Sequence, residues 1–366
     1  MRIKAPLIVG AGPAGCAAAI ALAQGGAKPL LLDRDEQVGD PLCGGFLSWR
    51  TVEQLSALGV DVPALGAHRV NRLHLFDGSR EAALDLPEIA FGLSRHTLDA
   101  AMRSRALELG AQMAFDAVKA IDGPKATGAK DEYEGNALFL ATGKHDVRGH
   151  SRPRDAKDTA LGLRLRLPAT PERTRLLESA IELHLFEGGY AGIVLQEGDS
   201  ANICLALRKS ALAGADRSPE SLFAWLANRS PAFAARLGDD WQDARIDTIG
   251  AVPYGYIAET TEPRVYRLGD QAAVIPSLAG EGISIALASG VTAASHYLEG
   301  RGAQDYQSAF ARMAHRPIGL ASAAWHMAET GIGARAGIAL ARLAPSLVAG
   351  FADMARIEAP ASLARP

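Results

Sequence analysis

Gly10, Gly12 and Gly15 follow the apolar run Leu7-Ile8-Val9, and Asp33 closes a second one, Leu30-Leu31-Leu32. These residue types at this spacing can hold a pyrophosphate and a ribose. Gly10 permits a tight turn, Gly12 lets a phosphate approach the backbone, and Gly15 lets a helix pack closely on its strand. Pro13 and Ala14 fall in the first helical turn, where the missing proline N–H costs little. The unpaired N–H groups there and the positive end of the helix dipole attract an anion. Gly25-Gly26 ends the helix, and Asp33 stands where a carboxylate accepts hydrogen bonds from a ribose. Strand, turn, helix, strand and acid in that order predict one dinucleotide-binding βαβ unit. A glycine-rich turn without a ligand is the alternative, and it leaves the acid unexplained.

The chain that positions these residues has 366 of them, more than one ordinary core takes, which predicts two joined domains. Apolar residues at 48% and charged ones at 22% are those of a globular protein, and a net charge of −3 offers no bulk attraction to nucleic acid. Cys16, Cys43 and Cys204 lie far apart without a CxxC pair, and the histidines show no HxxxH spacing, so no metal is expected. Isolated cysteines suit a reducing cytoplasm. The first strand starts almost at once, so no signal peptide is expected before it, and no apolar run reaches the roughly 18 residues of a spanning helix.

Periodicity places the elements. A helix is predicted over 49–58, and strands over 70–76 and 81–86 flank the hairpin signal Asp77-Gly78. Phe91-Gly92-Leu93 reads as a short strand, and Ser94 caps a helix over 95–109. Strands over 112–115 and 117–121 precede the buried strand 137–141, which ends in the turn at Gly143 and rejoins the parallel sheet. Strands over 161–167, 181–186, 190–196, 202–207 and 246–253 form a mainly antiparallel insertion, with a helical stretch over 218–237 broken at Ser230-Pro231. Helices over 281–298 and 304–313 and a helical tail over 318–357 complete the chain. The expectation is an α/β protein. A Rossmann-like domain takes residues 1–155 and 264–300, a substrate domain takes 156–263 with a hairpin near 68–93, and a helical segment takes 301–366.

This order of motifs resembles the FAD-dependent oxidoreductases that share the para-hydroxybenzoate hydroxylase fold, and it looks most like their geranylgeranyl reductase family. Four matches within residues 1–300 carry the resemblance: the Gly10-to-Asp33 unit, Cys43-Gly44-Gly45, Arg95 opening a helix, and Leu268-Gly269-Asp270 with Ala279-Gly280-Glu281-Gly282-Ile283. The resemblance implies FAD, with the backbone at Gly44 and Gly143 joining its site. It sets Arg34 beside the adenosine, Val118 against the adenine, and Arg95 on the pyrophosphate as a bidentate partner. A surface arginine, an edge strand and a solvated helix charge are the respective alternatives. Asp270 is implied beside the ribityl and pyrophosphate segment, with a turn or capping aspartate as the alternative. Gly280, Gly282 and Ile283 open a helix whose N–H groups face the flavin pyrimidine edge. Cys43 is implied on the substrate side as a proton donor, or else as a compact apolar filler.

Two features depart from the hydroxylase pattern or tempt another reading. Gln271 follows Asp270 where the hydroxylase branch shows small residues and a histidine, and Lys144-His145-Asp146 reads either as acid–base machinery or as a polar loop. Phe46, Trp49, Tyr190 and Tyr254 are candidates for a substrate pocket or for plain core. The Ala- and Gly-rich C-terminal helices shelter an apolar chain, touch a membrane surface, or simply pack together, packing being the expectation. The expected activity is reduction of a carbon–carbon double bond in an apolar, prenyl-like substrate. A monooxygenase acting on an aromatic or polyketide-like substrate is the alternative, and a flavin-binding protein without catalysis is a third. No second GxGxxG exists, so NAD(P)H or another electron donor is expected to bind transiently.

Overall fold

The computed structural model describes residues 5–153, 156–214 and 218–357. The expected domain boundary at 155 and the end of the helical tail, 358–366, lie outside the described residues. The first elements are β1 (Leu7–Val9), α1 (Pro13–Gln24), β2 (Leu30–Asp33), β3 (Phe46–Leu47), α2 (Trp49–Ala57), β4 (His68–Asp77), β5 (Arg80–Gly92) and α3 (Arg95–Glu108). Then come β6 (Gln112–Phe115), β7 (Ala120–Asp122), β8 (Lys125–Thr127), β9 (Glu132–Glu134) and β10 (Leu138–Leu140). The next stretch holds β11 (Ala160–Leu167), α4 (Pro171–Leu177), β12 (Ala180–Phe186), β13 (Gly189–Leu195), β14 (Ala201–Arg208), α5 (Lys209–Gly214), α6 (Pro219–Arg229), α7 (Pro231–Leu237) and β15 (Ile246–Val252). The chain ends with β16 (Val265–Arg267), α8 (Gly282–Leu298), α9 (Ala303–Ala328), α10 (Gly331–Leu343) and α11 (Pro345–Met354).

Five of the strands form a parallel sheet in the order β16-β10-β1-β2-β6. Leu7, Ile8, Leu138 and Phe139 are inaccessible to solvent, because helices cover one face and the small sheet β7-β8-β9 covers the other. The chain runs outward from β1 to β2 and β6, then returns to the other side of β1 at β10. That reversal opens a crevice at the carboxyl ends of β1 and β10, where a parallel sheet binds its ligand.

The second sheet has eight strands in the order β15-β11-β14-β13-β12-β4-β5-β3. It is antiparallel except where β4 and β12 run parallel, so the early hairpin is stitched onto the later insertion. The strands alternate with period two. Leu163, Leu165, Ile193, Ile203 and Leu205 pack with Phe223 and Phe233 of α6 and α7, while Arg164, Arg166, Tyr190, Asn202 and Cys204 take the other face.

Four expectations are corrected. β5 is one continuous strand that includes 91–92, because Phe91 and Gly92 pair with both β4 and β3. The strand expected over 117–121 starts only at Ala120, since Asp116 turns the chain by accepting bonds from the N–H groups of Ala129, Lys130 and Asp131. Helix α9 runs through Pro317 instead of stopping near 313, with Ile318, Ala321 and Trp325 buried on its inner face. The two short helices α4 and α5 were not anticipated.

α1 and α8 cross at small residues. A Cβ on Gly290 would lie 2.9 Å from the Ala18 nitrogen and 3.0 Å from the Ala17 Cβ. Gly290→Leu is therefore expected to cost about 1–3 kcal/mol through overpacking. A urea midpoint equal to that of the parent protein would show that the two helices do not touch there.

Candidate FAD site

The first half of the site is the glycine loop. Gly10 has φ +103°, and a side chain there would strike the Ala141 carbonyl at the end of β10. A Cβ on Gly15 would press on the Gly10 carbonyl and lie 3.2 Å from Ile8, so helix and strand are as close as the spacing requires. Gly12 is the N-cap of α1 and no side chain caps that helix, which leaves the N–H groups of its first turn, around Pro13, Ala14 and Gly15, for a ligand.

Asp33 ends β2 beside this loop, but its carboxylate already has structural partners. Oδ2 accepts from the Ala11 N–H at 2.7 Å and pairs with Arg103 at 3.1 Å, while Oδ1 accepts from the Asp35 N–H. Any ribose would share an acid that also fixes the loop. Arg34 is exposed beside the loop and pairs with Asp35 at 2.7 Å.

Arg95 opens α3 beside the glycine loop. Its Nη2 lies 3.3 Å from where a Gly12 side chain would begin, so the guanidinium overhangs the phosphate turn. Its fork is closed on Asp99, however, with Nε and Nη2 donating at 2.8 and 2.7 Å. Asp99 is 4% exposed and needs that countercharge, so a phosphate over Gly12 would meet a guanidinium already paired through its Nε edge. Val118 sits in the loop after β6, half-buried against the core under the parallel sheet, and the Asp116 N–H ties that loop to the Asp33 carbonyl at 2.8 Å.

The second half of the site is built from the ends of β10 and β16. Gly143 turns with φ +59°, and the fully buried Gln271 donates to its carbonyl at 2.9 Å and to that of His145 at 3.2 Å. Arg152 donates to the Asp270 carbonyl at 3.1 Å, and Ser289 of α8 accepts from the Gly269 N–H at 2.8 Å. Gly280 has φ +68°, and a Cβ there would lie 2.9 Å from the Phe46 ring. α8 then begins at Gly282 with no side-chain cap. Ile283 anchors the helix in the main core, so only its backbone faces the site.

Cys43 lies in a loop laid across the polar face of the second sheet. Asn202 donates to the carbonyls of Cys43 and Gly44 at 3.1 and 2.8 Å, and Lys144 donates to that of Leu42 at 2.6 Å. Arg164 holds the Pro41 carbonyl and the Asp40 carboxylate. The Lys144-His145-Asp146 stretch is thus a structural loop: Lys144 pins Leu42, and Asp146 pairs with Arg152 at 2.7 Å. Burial, and then the neighbouring Cys43, pushes the Cys204 thiol up to about 12, so it stays protonated.

Of the pocket candidates, Tyr190 and Tyr254 meet. Their hydroxyls lie 2.9 and 2.7 Å from the Ser277 Oγ, and both rings rest edge-on against Trp325. Phe46 packs on Gly280, while Trp49 is core, with the Arg356 guanidinium 3.8 Å above its ring.

These residues fit FAD. Two helices with uncapped N-termini start beside the same sheet edge, and a Cβ on Gly44, Gly143 or Gly282 would meet no protein atom within 4 Å. Several site residues are not singled out by the motifs. Asp99 and Arg103 follow Arg95 at every fourth position, a spacing that puts all three on one face of α3 and is readable in the sequence. Asn202, Arg152 and Arg356 carry no such signal, since nothing local says what they reach.

Two variants test the site. Asp33→Ala is expected to raise the Kd for FAD by about 10- to 150-fold, from roughly 1.5–3 kcal/mol of lost charged hydrogen bonding. An unchanged titration would remove the acid from the site. Gly282→Val should leave the apoprotein folded, because its side chain enters space free of protein atoms, yet abolish FAD binding. A yellow Gly282→Val protein with an unshifted spectrum would show that the start of α8 does not contact the flavin.

Residues 5–127 match the family model described as an FAD binding domain. The menaquinone reductase of Mycolicibacterium smegmatis is 28% identical over 326 residues, spanning 83% of this chain and 78% of its own. Among solved structures, halogenase PltM in complex with phloroglucinol and FAD covers 96% of this chain and 82% of its own with a TM-score of 0.76 at 13% identity. PqsL, a probable FAD-dependent monooxygenase from Pseudomonas aeruginosa, covers 92% of this chain and 99% of its own with a TM-score of 0.70 at 16% identity. At such identities the two structures share the fold with this chain. Residues 5–127 thus carry an FAD binding domain, and the whole chain shares the fold of these FAD-dependent proteins.

Proposed function

We propose that the protein reduces a carbon–carbon double bond in an apolar, prenyl-like substrate. The observation that carries this reading is the Cys43 loop. Four side chains, Lys144, Arg164, Arg166 and Asn202, hold residues 40–44 rigid on the sheet face. A thiol is thereby held beside the open backbone at Gly44. When bound and reduced by NAD(P)H or another transient donor, FAD would be the source of the hydride for one alkene carbon. Cys43 would give its proton to the other carbon and recover one from solvent. The similarity to a menaquinone reductase supports an apolar substrate of the prenylated quinone class.

In this reading residues 156–263, with the hairpin at 68–93, form the substrate layer over the cofactor domain. The substrate is an apolar small molecule, and the protein works in the cytoplasm. Monooxygenation of an aromatic or polyketide-like substrate is the second reading. It is favoured by the Tyr190–Ser277–Tyr254 hydroxyls, which suit a phenolic ring.

The test is anaerobic. Chemically reduced protein mixed with a polyprenyl quinone should reoxidise its flavin and yield a product that, after its ring is returned to the quinone in air, is still heavier by two hydrogens in the prenyl chain. Reoxidation that requires oxygen supports the second reading instead. Cys43→Ala should keep FAD and slow reoxidation by about 10²-fold or more, as expected on losing a general acid. Turnover of Cys43→Ala at the parent rate would make the cysteine structural.

A further inference from the structure

The C-terminal segment returns to the cofactor site. Arg356 follows α11, and its Nη1 pairs with the Glu281 carboxylate in the residue just before α8. Both partners are shielded from solvent, Glu281 completely and Arg356 to 6% side-chain exposure. Trp49 supports the guanidinium from below at 3.8 Å, and Ile357 beyond it is buried in the main core. The groups facing the pair come from every neighbouring element. They are Ser48 and Arg50 from the start of α2, Ser284 from α8 and Asp353 from α11. Burial raises the Glu281 carboxyl, and Arg356 is the largest influence pulling it back down. One carboxylate oxygen, Oε2, has no hydrogen-bond partner among the described residues.

A buried ion pair is weak evidence for stability, because desolvating two charges offsets their attraction. Its position is more informative. Glu281 stands between Gly280 and Gly282, at the end of α8 that is uncapped and opens on the FAD site. Reduction by two electrons and one proton leaves a net negative charge on the flavin ring system, and an unneutralised carboxylate beside it would oppose that charge.

We propose that Arg356 is a positioning residue for the cofactor: it neutralises Glu281, so that the N-terminal end of α8 presents its dipole to the flavin without a competing anion. The C-terminal segment thereby helps set the reduction potential of bound FAD through a contact that spans 75 positions of the chain, from Arg356 to Glu281. This inference rests on the FAD site and not on the substrate.

The experiment measures the two-electron midpoint potential of bound FAD from pH 7 to 9.5 in full-length variants. Arg356→Leu should match the parent where unpaired Glu281 is protonated and fall below it as pH rises. At the top of the range the reduction equilibrium should shift at least tenfold, about 30 mV for a two-electron couple. Arg356→Lys should restore the parent profile, and Arg356→Leu combined with Glu281→Gln should remove the fall. Glu281→Gln alone leaves Arg356 uncompensated and should raise the potential, which keeps the test decisive if Arg356→Leu does not fold. Arg356→Leu following the parent profile throughout would overturn the proposal. So would a double variant that falls as far as Arg356→Leu, or an unshifted Glu281→Gln.

Discussion

The approach of α1 to α8 is the constraint on which the cofactor site depends. Alanine and glycine at the crossing let two helices that start at one edge of the parallel sheet lie almost backbone to backbone. Their N-termini consequently open on the same crevice. Each brings unpaired N–H groups and the positive end of a dipole, one suited to a pyrophosphate and the other to the electron-rich edge of a reduced flavin. Ser289 of α8 also accepts from the Gly269 N–H, so the same helix fixes the loop that carries Asp270.

The second sheet serves the site through an unusual distribution of polarity. One face is an ordinary aliphatic core against α6 and α7. The other carries Arg164 and Asn202, both nearly inaccessible, and buried polar groups must find partners. They find them in the carbonyls and carboxylate of residues 40–44. The loop that holds Cys43 is therefore fixed by what the sheet requires, and rigidity at the thiol follows from satisfying buried donors.

The acids and bases around the phosphate turn also work in pairs. Asp99 occupies the Arg95 fork, and Asp33 shares Arg103 and the Ala11 N–H. A buried carboxylate without a countercharge is costly, so residues that a motif presents as ligand contacts have partners within the protein. They shape the loop first and meet a ligand through what remains open.

Much of the fold was legible because its signals are local. The glycine spacing, the apolar runs of β1, β2 and β10 and the alternation along β11 to β14 depend only on neighbours in the chain. They identified the βαβ unit, the parallel sheet and the antiparallel layer. The long helix α9 was misjudged because Pro317 is a local stop signal overridden by burial of Ile318 and Trp325. Glycines needed for a positive φ or a close approach, Gly10 and Gly15, were readable for the same local reason. What only the tertiary structure decided were the partners. Asn202 reaches Cys43 and Gly44 across some 160 positions, Arg164 holds Asp40 and Pro41, and Arg356 reaches Glu281 from the far end of the chain. A charge or an amide carries no address in the sequence, because its partner is set by which surfaces the packed sheets and helices bring together.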